Sequence, residues 1–282
     1  MTHFASEAYL AFIALGFAVG AYGTLIGAGG GFVLMPILLL LFPDKSPELL
    51  TSISLAVVCL NALSGSGAYA FMRRIDYKSG LIFALATIPG SILGALNSGG
   101  VPRRLFDGIF GIMLLAAAVF LNLRPNLAEN SRQVYHPDKH QMIRHLVEAD
   151  GVQFDYAFNP WIGIVISLFV GYVSSFLGIG GGIIHVPALV YFLNFPIHVA
   201  TATSHFILVI MALTGTIVHI INGSFGHGVH HMISLAIGVV IGAQVGARLS
   251  QFLKGTWIVR SLAIALGLVG VRILMLVIEA KV

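Results

Sequence analysis

Two glycine runs, Gly27-Ala28-Gly29-Gly30-Gly31 and Gly178-Ile179-Gly180-Gly181-Gly182, interrupt long apolar stretches of this sequence. In hydrocarbon such a run leaves backbone groups unpaired unless it faces protein or a wet cavity, so it marks a candidate site. The residues that follow, Phe32 to Phe42 and Ile183 to Phe192, are apolar and helix-competent. Each run thus places a helix N-terminus near the middle of a membrane, where free N–H groups and the positive end of the helix dipole favour an anion. With no side chain at Gly29, Gly30, Gly31, Gly180, Gly181 and Gly182, a small oxyanion can approach the backbone closely. Two such termini facing each other would make one site. Neither run is followed by Gly-Lys-Ser or Gly-Lys-Thr, which excludes a nucleotide phosphate loop. Glycine in membrane helices also serves close packing, and Gly238, Gly242 and Gly246, like Gly90 and Gly94, read as seams of that kind.

Polar groups within apolar spans are the next candidates, because each costs free energy unless it has a partner. Thr51, Ser52 and Ser54 correspond to Thr201, Thr203 and Ser204. Their hydroxyls can donate to an anion or bond to a carbonyl one turn back. Asn61, in mid-span, corresponds to Met211, and its amide can donate to substrate or bridge two helices. His185 stands where the first half has Leu34, and His205 where it has Leu55. One half therefore supplies titratable groups that the other lacks, and a histidine can carry a proton or become a cation beside an anion. His198 and His219 lie nearer the span ends. Arg248 is placed to snorkel, and Asp107 to pair with Arg103 or Arg104 in its own first turn.

A competing chemistry is a metal enzyme. His227-Gly-Val-His230-His231 has the spacing of a histidine box of membrane di-iron desaturases and hydroxylases, and His136 and His140 lie in the polar middle of the chain. Such sites need three boxes on one membrane face with supporting partners, and a second His-His pair is absent. A lesser version is a surface metal site of His227, His230 and His231 alone. The anion-site reading needs no cofactor and no resident metal.

The elements that must position these groups are membrane spans. The chain has 282 residues, 57% hydrophobic and only 9% charged, with a mean hydropathy of +0.95. Soluble domains carry about 25% charged residues. There is too little polar surface for a water-soluble fold, which excludes cytosolic enzymes and nucleic-acid binders. The net charge of +4 fits basic residues held at the cytoplasmic face. No Lys or Arg precedes Lys45, so the first apolar stretch is expected to be a structural span and not a signal peptide. Cys59, the single cysteine, lies in an apolar run and forms no internal disulfide. Spans of the required length fall near 51–70, 80–98, 105–122, 160–178, 201–221, 232–250 and 257–278, while 8–42 and 160–194 are the two longer glycine-broken stretches.

Alignment of the glycine runs brings Pro36 onto Pro187, Thr51-Ser52-Ile53-Ser54 onto Thr201-Ala202-Thr203-Ser204, and Gly90 and Gly94 onto Gly242 and Gly246. The expected fold is an all-α integral membrane protein, one domain over 1–282. It has two homologous halves of four to five membrane segments, repeat 1 at 8–122 and repeat 2 at 158–278, joined by a water-exposed polar linker at 123–158. If each broken stretch is a down-and-up pair of short segments, the halves are inverted and the 15 basic residues divide ten to five between the faces. Parallel halves divide them nine to six. The positive-inside rule prefers the inverted arrangement, and in such folds the substrate lies between the repeats.

The motif Gly-x-Gly-Gly-Gly, an apolar run, a Pro five residues on and a Thr/Ser-rich start to the next helix, present twice, resembles the sulfite exporter TauE/SafE family of membrane permeases. The resemblance covers nearly the whole chain. It implies secondary transport, across the cytoplasmic membrane, of a small sulfur-containing anion such as sulfite, a sulfonate or thiosulfate. Protons as the coupling ion and a homo-oligomeric assembly stay open at this point. The long polar linker and the many histidines depart from the family pattern.

Overall fold

The computed structural model describes residues 2–123, 141–225, 229–252 and 255–279. Repeat 1 holds α1 (Thr2–Ile26), α2 (Gly31–Leu41), α3 (Pro47–Phe71), α4 (Tyr77–Asn97) and α5 (Arg103–Leu123). A hairpin of β1 (Met142–Val147) and β2 (Gln153–Phe158) precedes repeat 2, which holds α6 (Pro160–Leu177), α7 (Gly182–Leu193), α8 (Ile197–Ile221), α9 (Val229–Leu249) and α10 (Gly255–Glu279). Among the described residues seven helices are long and apolar enough to cross a membrane, and α2, α7 and Ala263–Ile278 of α10 are shorter apolar segments.

Local chemistry sets the helix starts. Ser46 caps α3 by accepting from the Leu49 N–H, Asp76 caps α4 through the Ser79 N–H, and Asn159 caps α6 through the Trp161 N–H. Each satisfies one of the donors that a helix start leaves free. Pro47 and Pro160 occupy first-turn positions where no N–H is needed. The glycine-broken stretches differ from the expected pairs of short segments. α1 has 25 residues and α6 has 18, against 11 in α2 and 12 in α7. In each stretch the arm ahead of the glycine break is the longer one. The arm behind it reaches only about 17 Å, roughly half the hydrocarbon core.

Contacts fix the helix directions. Ser224, just past α8, donates to Glu48 at the start of α3, while the Asp76 N–H, just past α3, donates to Thr203 near the start of α8. These two helices are antiparallel. In α5 and α10, Gly111 meets Leu274 and Gly267 meets Ala118, so this pair is antiparallel as well. Since α3 corresponds to α8 and α5 to α10, these corresponding helices run in opposite directions, which is compatible with an inverted repeat.

The halves also interlock. The first helix of each packs most extensively on the fourth of the other, α1 on α9 and α6 on α4. Glycine makes both contacts possible. A methyl carbon at Gly238, Gly242 or Gly246 would sit 2.1 to 2.2 Å from the carbonyls of Ile13, Phe17 and Ala21, and one at Gly90 or Gly94 as close to those of Leu168 and Tyr172. These are the packing seams that the spacing announced. Among the described residues, Arg73, Arg74, Lys78, Arg144, the exposed Arg248 and Arg260 lie toward one end of the bundle, against Lys45, Arg103, Arg104 and Arg272 toward the other. By the positive-inside rule the first end is cytoplasmic. Arg103 pairs with Asp107 at 3.0 Å and also donates to the carbonyls of Leu39 and Lys45.

The linker corrects the sequence reading. Residues 124–140 lie outside the described residues, but 142–158 form an antiparallel hairpin, with Arg144 opposite Tyr156. It is not simply water-exposed. Tyr156, Ala157, Phe158 and Glu148 are buried. The alternation of Phe154, Tyr156 and Phe158 is the period-two pattern of a half-buried strand. Their aromatic face packs on Phe83, Phe195, Leu193 and Val199. Its polar face closes on helix ends: Arg144 donates from Nε and Nη2 to the Asp76 carboxylate at 2.6 to 3.1 Å, the Tyr156 hydroxyl donates to Asp76 at 2.9 Å, and Arg74 donates to Glu148 at 2.7 Å. Burial alone would raise the Asp76 carboxyl, yet the bonds from Arg144, Ser79 and Tyr156 outweigh it and hold its pKa below the usual value. Burial raises Glu148 despite its arginine.

Candidate functional site

The two glycine runs meet at the centre of the bundle. A methyl carbon at Gly182 would stand 2.2 Å from the Gly27 carbonyl oxygen, and one at Gly31 would stand 2.7 Å from the Ile179 carbonyl. Val58 of α3 flanks both Gly29 and Gly180, and Leu208 of α8 flanks Gly29. Both flanking residues lie midway along their helices, so the breaks sit at mid-depth. Gly30 and Gly181 immediately precede α2 and α7 with φ of 77° and 69°, backbone that glycine adopts without a Cβ penalty. Among the described residues, the N–H groups of Gly30, Gly31, Phe32, Gly180, Gly181 and Ile183 find no backbone acceptor.

The helices of the opposite half fasten these breaks. Ser54 on α3 donates to the Gly178 carbonyl at 2.6 Å, and its counterpart Ser204 on α8 donates to the Gly27 carbonyl at 3.2 Å. Neither hydroxyl bonds one turn back. Ser52 and Thr201 do, to Leu49 and Ile197, and Thr203 instead accepts from the Asp76 N–H at the cytoplasmic end. Thr51 Oγ1 is buried without a partner, and its α-carbon lies against Gly178. Ser174 Oγ, likewise buried and unpartnered, lies 2.6 Å from where a methyl carbon at Gly181 would sit.

His205 and Asn61 come together through a residue that the sequence reading did not single out. Thr24, on the last turn of α1, donates to Asn61 Oδ1 at 2.9 Å and lies 3.2 Å from His205 Nε2. Its single proton is given to Asn61, so the histidine donates from Nε2 and Nδ1 is the nitrogen free to accept. Tyr69 closes the group, its ring edge-on to His205 and its hydroxyl donating to the Thr24 carbonyl at 2.8 Å. The Asn61 Nδ2 group is buried with no partner. At the equivalent place in the other half, Leu55 takes the position of His205 and packs at Gly215 beside Ser175 and Ser91. Ser91 and Ser175 bond each other at 2.6 Å, and Ser91 also bonds the Met211 carbonyl. One half is polar where the other is apolar.

His185 stands apart from this group. Its Nε2 lies 3.1 Å from Ser167 Oγ on α6. The signal for Thr24, Ser174 and Ser175 was in the sequence: hydroxyls stand three to four residues ahead of both glycine runs, at the last turn of the preceding helix. His227 lies outside the described residues, as do the side chains of His230 and His231. Among the described residues, no three His, Cys, Asp or Glu side chains group so as to hold a metal ion.

The sulfite exporter TauE/SafE family model matches residues 12–273. The chain is 33% identical over 274 residues to the "Probable membrane transporter protein YunE" of Bacillus subtilis, covering 94% of this chain and 97% of that one. It is 24% identical over 276 residues to a "Probable membrane transporter protein" of Methanocaldococcus jannaschii, covering 93% and 94%. It is 26% identical over 266 residues to the "Probable membrane transporter protein ORF9" of a Sinorhizobium species, covering 90% and 88%. No solved structure matches the chain. The relatives are named as probable membrane transporters, which leaves the di-iron reading without support.

Proposed function

This chain belongs to the sulfite exporter TauE/SafE family of membrane transporters, and from that premise we propose that it is a secondary transporter of a small sulfur-containing oxyanion such as sulfite, a sulfonate or thiosulfate. The observation that carries the reading is the meeting of two glycine breaks at mid-depth, with unpaired N–H groups at the starts of α2 and α7. Backbone donors at helix starts match a compact oxyanion and offer little to a cation. The unpartnered Thr51 Oγ1, Asn61 Nδ2 and Ser174 Oγ add side-chain donors around the same breaks.

The sequence holds no ATP-binding loop, so transport runs on an ion gradient, the membrane potential or the substrate gradient. An anion moving inward against an inside-negative potential needs compensating positive charge. His205, bonded through Thr24 to Asn61, is the group we assign to carry a proton. Purified protein in liposomes should move labelled sulfite, sulfonate or thiosulfate without ATP. Folded protein that fails across a broad panel of small anions would overturn the proposal.

A further inference from the structure

The two ends of the bundle are closed very differently. At the outer end, the polar ties between the halves among the described residues are single hydrogen bonds, from Ser224 to Glu48 and from Asn97 to the Tyr172 hydroxyl. At the cytoplasmic end the hairpin touches both halves at once. Toward repeat 1, Arg144 and Tyr156 grip Asp76, Glu148 pairs with Arg74, and the Ala149 N–H donates to the Met72 carbonyl at 3.0 Å. Toward repeat 2, the Tyr156 and Phe158 rings lie 4.6 and 5.1 Å from the Phe195 ring, and Asn194 donates to the Ala157 carbonyl. Asp76 is the hub, since its own N–H reaches Thr203 of α8 while its carboxylate holds the hairpin.

We propose that the β1–β2 hairpin is a strap that holds the cytoplasmic ends of the two repeats together, so that the central site opens to the cytoplasm only when the Arg144–Asp76 grip is released. The inference rests on the transporter reading, because alternating access in repeat-built carriers requires one half to rock against the other. The Asp76 carboxylate is buried while Arg144 is partly exposed, so removing the arginine is costly because it leaves a buried charge uncompensated. The strap therefore biases the resting protein toward a closed inner face. Its loss lowers the barrier at that end and leaves the outer end as it was.

The test needs no substrate, so its failure is separable from failure of the anion reading. The repeat supplies matched reporters: Ala202 near the start of α8 and its counterpart Ser52 near the start of α3 are both fully buried, at the cytoplasmic and outer ends respectively. In the full chain with Cys59→Ala, the Ala202→Cys or Ser52→Cys thiol is alkylated with N-ethylmaleimide in detergent. When opening and closing are fast, the alkylation rate follows the open population. With Arg144→Met the rate at position 202 should rise about tenfold or more, and the rate at position 52 should stay as it was. Tyr156→Phe, which keeps the ring packing and removes one hydrogen bond to Asp76, should raise the rate at position 202 a few-fold. No change at position 202 in either variant would overturn the proposal. An equal rise at both positions in Tyr156→Phe would also overturn it, making the hairpin a general staple of the fold.

Discussion

The hydroxyl of Ser54 and the carbonyl of Gly178 lie 2.6 Å apart, although 124 residues of chain separate them. This bond and its counterpart from Ser204 to Gly27 join a long helix of one repeat to the glycine break of the other. Each satisfies a carbonyl that the end of α6 or α1 leaves unpaired inside the bundle.

Ser54→Ala should therefore destabilise the protein by about 1–3 kcal/mol, the cost of stranding a buried acceptor. Ser204→Ala should cost less, because its bond is longer at 3.2 Å. Thermal unfolding in detergent reads both. Equal, negligible shifts would mean that the glycine carbonyls find other partners.

Gly30 and Gly181 are not equivalent targets. A methyl carbon at Gly30 meets the Val19 backbone carbonyl at 2.8 Å, whereas one at Gly181 meets the ends of side chains, Ser174 Oγ at 2.6 Å and Met211 Cε at 3.1 Å. Left-handed backbone costs a non-glycine residue about 1–2 kcal/mol in either place. Gly30→Val should reduce the yield of folded protein, and Gly181→Ala should fold and lose transport. Normal anion uptake by purified Gly181→Ala would make the break a packing device only.

Asn61→Met and His205→Leu install what the other repeat already carries at Met211 and Leu55. Both should fold and both should lose transport, because the Thr24 network is then broken. His205→Gln should flatten the pH dependence of uptake. His185→Gln, bonded only to Ser167, should leave that profile in place. An unchanged profile in the single and double variants would assign any proton to the substrate itself.

Acid should release the hairpin. The Asp76 carboxyl has a lowered pKa in the folded protein, so its contribution is complete above the ordinary aspartate value of about 3.9 and is lost as pH falls through the lowered value. Glu148 works in the opposite sense, since a raised carboxyl favours the fold at lower pH. Relative to a free thiol at the same pH, alkylation of the Ala202→Cys thiol should stay slow at neutral pH and accelerate only below about pH 4. In Asp76→Asn it should be fast throughout.

What the sequence made legible was whatever repeats or has a period. The paired glycine runs gave the breaks and their depth, and four-residue glycine spacing gave the seams of α9 and α4. The Thr24–His205 contact was not legible, because a hydroxyl near a helix end has many local partners and only the crossing of α1 with α8 selects one. The hairpin was hidden by its charges: Arg144, Glu148 and Asp155 read as solvated until Asp76 and Arg74, some seventy residues earlier, supply partners for the first two. Of the down-and-up pairs of short segments, the unequal arms were not legible, because a count of apolar residues does not say on which side of a break the longer arm lies.

The exchange of partners by which α1 seats on α9 and α6 on α4 bears on how the chain is made. Residues 16 and 20 emerge from the ribosome more than two hundred positions ahead of Leu235 and Val239, against which they pack. At about 5–20 residues per second, α1 waits on the order of ten seconds or more in the bilayer with its glycine face bare. Neither half can mature alone, and a nonsense mutation in the second half would leave a membrane-inserted fragment exposing that face, a substrate for quality-control proteases. By the same logic, two half-length polypeptides expressed together would recover function only by assembling with each other, each serving as the other's scaffold.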